Sequence, residues 1–304
     1  MDNTNYVDLL ENINRFPSYT ALIAALCSIV FWRKKPLVWG SLFASSLLLN
    51  IYHHDINATG LSVILTFIGI CFLFFRHSKG LLHVVLGVFI VLMGLSLDLH
   101  WLPGFHNWMA IKNVRLSATS TPLHIYVNYD NRFIGLILLG CGYSFFFQNT
   151  TFTRSKKTAI FFYTSCVTAA VVAMLGFIAI RSQYIKFDPK WNDIYYFWAL
   201  NNLLVVCPNE EIFFRGFIQQ KLRLLLKNYK SAAPVSIILA SALFTIIHYR
   251  GGAPYCALVF AAGLLYGYIY NKTRSLMASI YSHFLLNSCH FLIFSYPAFM
   301  PAGI

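Results

Sequence analysis

A chain of 304 residues that is 58% hydrophobic and only 11% charged lies far below the roughly 25% charge of soluble globular domains. That excludes an ordinary water-soluble fold. The net charge of +13 invites a nucleic-acid reading, but the basic residues sit between apolar runs, and neither a Walker loop nor a GxGxxG turn leading a helix is present. The expected partner of the surface is a lipid bilayer, not a nucleic acid.

Ten apolar runs are candidates for crossing a hydrocarbon core of about 30 Å: 18–32, 37–53, 60–75, 81–97, 133–148, 158–180, 196–218, 233–249, 254–270 and 276–296. The first three are short and would tilt or lie at the interface. The flank before the first, MDNTNYVDLLENINRF, is acid-rich where a cleaved signal needs a basic segment, so it is not read as one. Basic clusters fall in alternate links, at 33–35, 76–79, 154–157, 221–230 and 271–274. This is the positive-inside pattern. It predicts an all-α, polytopic membrane helix bundle of about 8–10 transmembrane helices, with its N-terminus outside a bacterial cytoplasmic membrane.

Residues 1–132 read as an N-terminal extension of four spans ending in an extracytoplasmic loop, and 133–304 as the remaining transmembrane region. Within the loop, LHIYVNY (123–129) alternates as a short strand does. Residues 181–193 are mixed in sign and would also lie outside. All seven cysteines fall in or beside apolar runs without a CxxC spacing, so they read as small packing residues rather than as disulfides or metal ligands.

Ten acids occur in the chain, and eight lie in loops, tails or span ends. Glu210 and Glu211, in CPNEEIFFRG (207–216), are the exceptions. A carboxylate inside a membrane costs several kcal/mol by most estimates and marks a functional site by default. Four residues on, Arg215 shares a helix face with Glu211, which would make a structural ion pair. Glu210 lies about 100° round and is left without that partner. Pro208 suits a first helical turn, which would place both acids near a helix N-terminus, where the dipole favours negative charge.

Further polar residues recur in later spans. Phe244 and His248 in FTIIH share a face, as do His283 and Asn287 in HFLLN, with His290 seven residues after His283. Counted from the basic link at 227–231, the glutamates and His248 come level at about 1.5 Å per residue. His283 falls about 13 Å short on the same rise unless the hairpin 221–232 projects beyond the membrane; otherwise His290 is the better placed. A carboxylate beside a histidine can deprotonate water, and a second histidine with an amide can stabilise an oxyanion. A Ser or Cys nucleophile is disfavoured, since Cys289 lies about 140° or more round the helix from His283 and Asn287. A zinc site of Glu210, His248 and His283 is the alternative, three ligands and a water being the usual catalytic set.

EEIFFR (210–215), FTIIH (244–248) and HFLLN (283–287), in that order on successive spans, resemble the EExxxR, FxxxH and HxxxN motifs of the CPBP family. These are the CAAX-processing type II prenyl endopeptidases and bacteriocin-processing or immunity proteins, also called Abi or lysostaphin-resistance-like proteins. The resemblance covers about 158–296. It implies an intramembrane endopeptidase of the glutamic type acting on a membrane-associated protein or peptide, with no cofactor. Glu210 and His248 would activate water, His283 and Asn287 would hold the oxyanion, and Glu211, Arg215 and Phe244 would support them. Nothing in the sequence selects a prenylated substrate, and a non-catalytic scaffold or immunity protein of the same fold stays open beside the peptidase.

Overall fold

The computed structural model describes residues 13–32, 35–77, 79–147 and 153–300. Most of the acid-rich N-terminal flank, together with Arg33, Lys34 and Ser78 of the first two basic clusters, lies outside these residues. The chain forms two compact units, one of residues 1–112 and 124–147 and the other of 113–123 and 148–304.

The first unit contains α1 (Phe16–Phe31), α2 (Pro36–Tyr52), α3 (Ala58–Arg76), α4 (Gly80–Asp98), the short α5 (Tyr129–Arg132) and α6 (Ile134–Phe146). Prolines in the first turns of α1 and α2 leave no donor unsatisfied there. Asn57 caps α3 by accepting from the amides of Thr59 and Gly60, at 2.9 and 3.1 Å. Gly60 is needed at that turn because the backbone of Gly104 occupies the space a Cβ would take. The α1–α2 pair is tied by the Ser46 hydroxyl donating to the Ser18 carbonyl at 2.6 Å. Helix α4 turns Leu81, Val84, Val88, Phe89 and Leu92 outward, as an apolar solvent requires.

A hairpin of β1 (Trp108–Val114) and β2 (Leu123–Val127) contains the strand expected at LHIYVNY and a partner the sequence did not disclose. Its connecting loop belongs with the second unit.

The second unit opens with α7 (Arg154–Arg181), started by the Thr153 side chain accepting from Lys156 N at 3.3 Å. After the segment 182–193 comes α8, an unbroken helical run over 194–225. It is built from Ile194–Asn201, a π segment Asn202–Val206, Cys207–Glu211, a second π segment Ile212–Gln219, and Gln220–Leu225. Helices α9 (Ala232–Ile246), α10 (Gly252–Thr273) and α11 (Leu276–Ile293) follow. Helix α8 packs on α9, α10 and α11, and α7 packs on α10 and α11.

Among the described residues, each of the ten predicted spans coincides over most of its length with a helix. Among the described residues, six helical stretches are long and apolar enough to cross a membrane: Ile13–Phe31, Ala58–Arg76, Gly80–Asp98, Arg154–Arg181, Tyr249–Thr273 and Leu276–Ile293. Helices α2 and α9 are apolar but shorter.

One local expectation is overturned. Pro208 does not begin a helix; it lies deep inside α8. A proline inside an α-helix removes one hydrogen bond and its ring crowds the carbonyl four residues back. Here the preceding turn is widened to π form, with Cys207 N bonding to Asn202 O five residues back, so the run continues through the proline. The two glutamates are therefore not at a helix N-terminus, and the dipole does not account for them.

Candidate active site

The site lies in the second unit, where α8, α9, α10 and α11 bring together the residues of the three motifs. Glu211 is fully buried and saturated with partners. One carboxylate oxygen accepts from His283 Nδ1 at 3.0 Å, and the other accepts from the Ser279 hydroxyl at 2.5 Å and lies 3.4 Å from Arg215 Nε. The expected pairing of Glu211 with Arg215 is present.

Arg215 is enclosed as well. None of its three guanidinium nitrogens has a hydrogen-bond partner, and its charge is met by Glu211 and by two ring faces. Its guanidinium carbon is 5.1 Å from the Phe244 ring centre and 5.9 Å from that of Tyr266, within cation–π range. Phe244 thus has a definite task. It walls the arginine on one side, and its ring centre is 4.7 Å from that of His248 and 5.8 Å from that of His283.

His283 lies between the two acids. Its Nδ1 is engaged by Glu211, and its Nε2 is 3.8 Å from Glu210 Oε2. That gap exceeds a direct hydrogen bond. The ring is stacked on Tyr266, with centroids 4.4 Å apart and planes at 17°. Between the two candidate histidines of α11, the structure brings His283 to the acids. His290 instead packs against Tyr296 at 4.9 Å.

His248 directs Nδ1 to the Phe244 carbonyl at 2.8 Å, which leaves Nε2 on the far side of the ring. Its ring centre is 6.0 Å from that of Tyr255. Asn287 donates through Nδ2 to Asn202 Oδ1 at 3.2 Å and approaches Cys207 Sγ at 3.9 Å. Of the alternative nucleophiles, Ser282 shares a hydrogen bond with Thr168 of α7 at 2.7 Å. Among the described residues, no group of three or more His, Cys, Asp and Glu side chains is arranged to hold a metal ion.

Sequence reasoning missed Ser279, Tyr266 and Asn202. Ser279 stands four residues before His283 and so shares its face; that signal was available. Asn202 was hidden by the π segment, which breaks the helical count between it and Glu210. Tyr266 carried no signal beyond being an aromatic residue in an apolar run.

The fold and the site together define a class: an integral membrane helix bundle with paired glutamates and histidines within its apolar core. Residues 192–289 match the family described as Type II CAAX prenyl endopeptidase Rce1-like. This bears out the CPBP resemblance over the segment that holds all three motifs. No curated protein and no solved structure matches the chain.

Proposed function

We propose that the chain is an intramembrane endopeptidase that hydrolyses a peptide bond in a membrane-associated protein or peptide, with Glu210 as the base. The observation that carries this reading is the unequal treatment of the two acids. Glu211 is neutralised by Arg215, Ser279 and His283. Glu210 faces His283 Nε2 across 3.8 Å, a gap suited to one water.

In the proposed reaction, Glu210, assisted by His248, takes a proton from that water as its oxygen attacks the carbonyl carbon of the scissile bond. The carbonyl oxygen becomes an oxyanion and accepts from Asn287 Nδ2 and from His283 Nε2 when that imidazole carries both protons. The tetrahedral species collapses with cleavage of the C–N bond. Glu210 returns its proton to the leaving nitrogen, which regenerates the carboxylate. Glu211 and Arg215 hold His283 and do not touch the reacting atoms. The reading uses no metal or other cofactor.

The test is detergent-purified protein mixed with candidate precursor peptides and read by mass spectrometry. Cleavage by the wild type and none by Glu210→Gln is expected. Equal cleavage by both refutes the assignment of the base.

A further inference from the structure

Resting on the peptidase reading, we infer that the site opens only toward the end of the second unit that contains the turn 247–252, and that this end is extracytoplasmic. The substrates are then peptides or membrane-protein segments presented from outside, not C-termini presented from the cytoplasm.

The direction of opening follows from where each residue lies along its helix. Toward Leu225, Thr273 and Leu276, the site is floored. Glu211, Arg215 and Ser279 are 0% exposed, and Tyr266 and Gln219 are 1% exposed. Gln219 closes the layer below by donating to the Gly267 carbonyl at 2.9 Å. The groups with access lie toward the opposite ends. His248 stands just past the end of α9, and Asn287 lies one turn nearer Ile293 than His283; both are half-buried. Immediately beyond His248, residues 249–254, YRGGAP, are all exposed. Past this turn the chain is exposed, whereas the other route to Glu210 crosses the buried Arg215 layer.

The same end bears a border of extended chain. The loop 115–122, the segment 184–190 and residues 294–300 are joined by backbone bonds, Ser295 N to Lys186 O at 2.9 Å and Met300 N to Thr119 O at 2.9 Å among them. This layer meets the mouth where Tyr184 stacks on Tyr255 at 6.2 Å.

Charge assigns the face. At the floored end of this unit, RSKK (154–157), KLRLLLKNYK (221–230) and NKTR (271–274) carry nine Lys and Arg and no acid. At the open end, Arg115, Arg181, Lys186, Lys190 and Arg250 are balanced in part by Asp188 and Asp193. Lysine and arginine close to span ends are retained on the cytoplasmic side, which turns the mouth outward.

Labelling with a membrane-impermeant maleimide in intact bacterial host cells tests this, with the wild type as background for the native cysteines. Arg250→Cys should label in intact cells, and Lys227→Cys only after permeabilisation. The reverse pattern overturns the inference. Should either variant fail to accumulate, trypsin on the wild-type chain gives the same answer. Cleavage after Arg250 in spheroplasts and after Lys227 or Lys230 only in inverted vesicles is expected, and the opposite overturns it. Neither readout needs activity, so each stands apart from the peptidase reading. Comparing newly formed protein termini in cells expressing wild type or Glu210→Gln tests the substrate class. Glu210-dependent termini confined to cytoplasmic segments overturn the inference while upholding the peptidase; termini in extracytoplasmic segments support both.

Discussion

Tyr266 and His283 lie face to face, centroids 4.4 Å apart and planes at 17°, so the tyrosine ring sets the plane in which the histidine reaches both acids. Tyr266→Phe keeps that ring and should retain most activity. Tyr266→Ala removes a fully buried aromatic side chain, at about 3–5 kcal/mol, and frees the imidazole to turn. Thermal unfolding in detergent beside peptide turnover checks this. Loss of turnover in Tyr266→Phe equal to that in Tyr266→Ala would assign the role to the hydroxyl instead.

The two glutamates should part company on substitution. Glu211→Gln leaves Arg215 buried without its carboxylate, and breaking a buried pair costs about 3–5 kcal/mol. Low yield and early unfolding are expected. Glu210→Gln disturbs no such pair and should accumulate like wild type while losing turnover. Protein levels that fall alike in both variants would contradict this division.

Asn202 is a positioning residue for Asn287. Its carbonyl oxygen receives the Asn287 amide at 3.2 Å, which aims the second amide hydrogen. Asn202→Ala should lower kcat about tenfold, the kinetic equivalent of one hydrogen bond of about 1.4 kcal/mol, with KM little changed. A change confined to KM would place Asn202 in substrate binding.

The border of extended chain has a pH limit. Asp188 accepts from the hydroxyls of Ser117 and Thr119, the latter at 3.0 Å, with Lys190 Nζ at 3.6 Å. Burial pushes its carboxyl up, but the two hydroxyls and Lys190 outweigh that and hold it below the usual carboxylate range. The Lys190 ammonium is itself pulled down, its burial outweighing the pull of Asp188. The depression at Asp188 is therefore credited to the hydroxyls before the ion pair. A carboxyl with a lowered folded pKa contributes its stability in full above its unfolded value, about 3.9, and loses it as pH falls through the folded one. Protection of 115–121 and 184–190 from hydrogen exchange should hold to about pH 4 and fall below it. Asp188→Asn should weaken protection at neutral pH and flatten the dependence.

Metal removal is expected to change nothing. Chelators should leave turnover intact, and elemental analysis should find well under one zinc per chain. Stoichiometric zinc that leaves with activity and restores it on return would establish the zinc route. With the oxyanion role proposed for it, His283→Ala should lose rate by roughly 10² to 10³-fold.

The helices and the three motifs were legible because each rests on a local rule. Apolar length marks a span, and spacings of four place Glu211 with Arg215, Phe244 with His248 and His283 with Asn287. What escaped was set by tertiary packing. Whether His283 or His290 met the acids depended on how far α8 projects and how the helices tilt, which rise per residue alone cannot give. The enclosure of Arg215 by Phe244 and Tyr266 joins three helices, and no spacing in the sequence records it. The helix start expected at Pro208 failed because the proline's missing donor was absorbed by a wider turn upstream.

That wider turn changes what a sequence comparison can vouch for. A π turn holds one residue more than an α turn, so residues 194–201 stand about 100° round from where an unbroken α-helix through Glu210 would put them. Substitutions in 203–206 that closed this turn to α form at full length would leave EEIFFR, FTIIH and HFLLN letter for letter intact. They would also swing the face bearing Trp198 and Asn201 away from α11, whose Phe291 now packs on Trp198 at 4.7 Å. A relative of equal length without the wider turn would pass every motif search and still lack this wall.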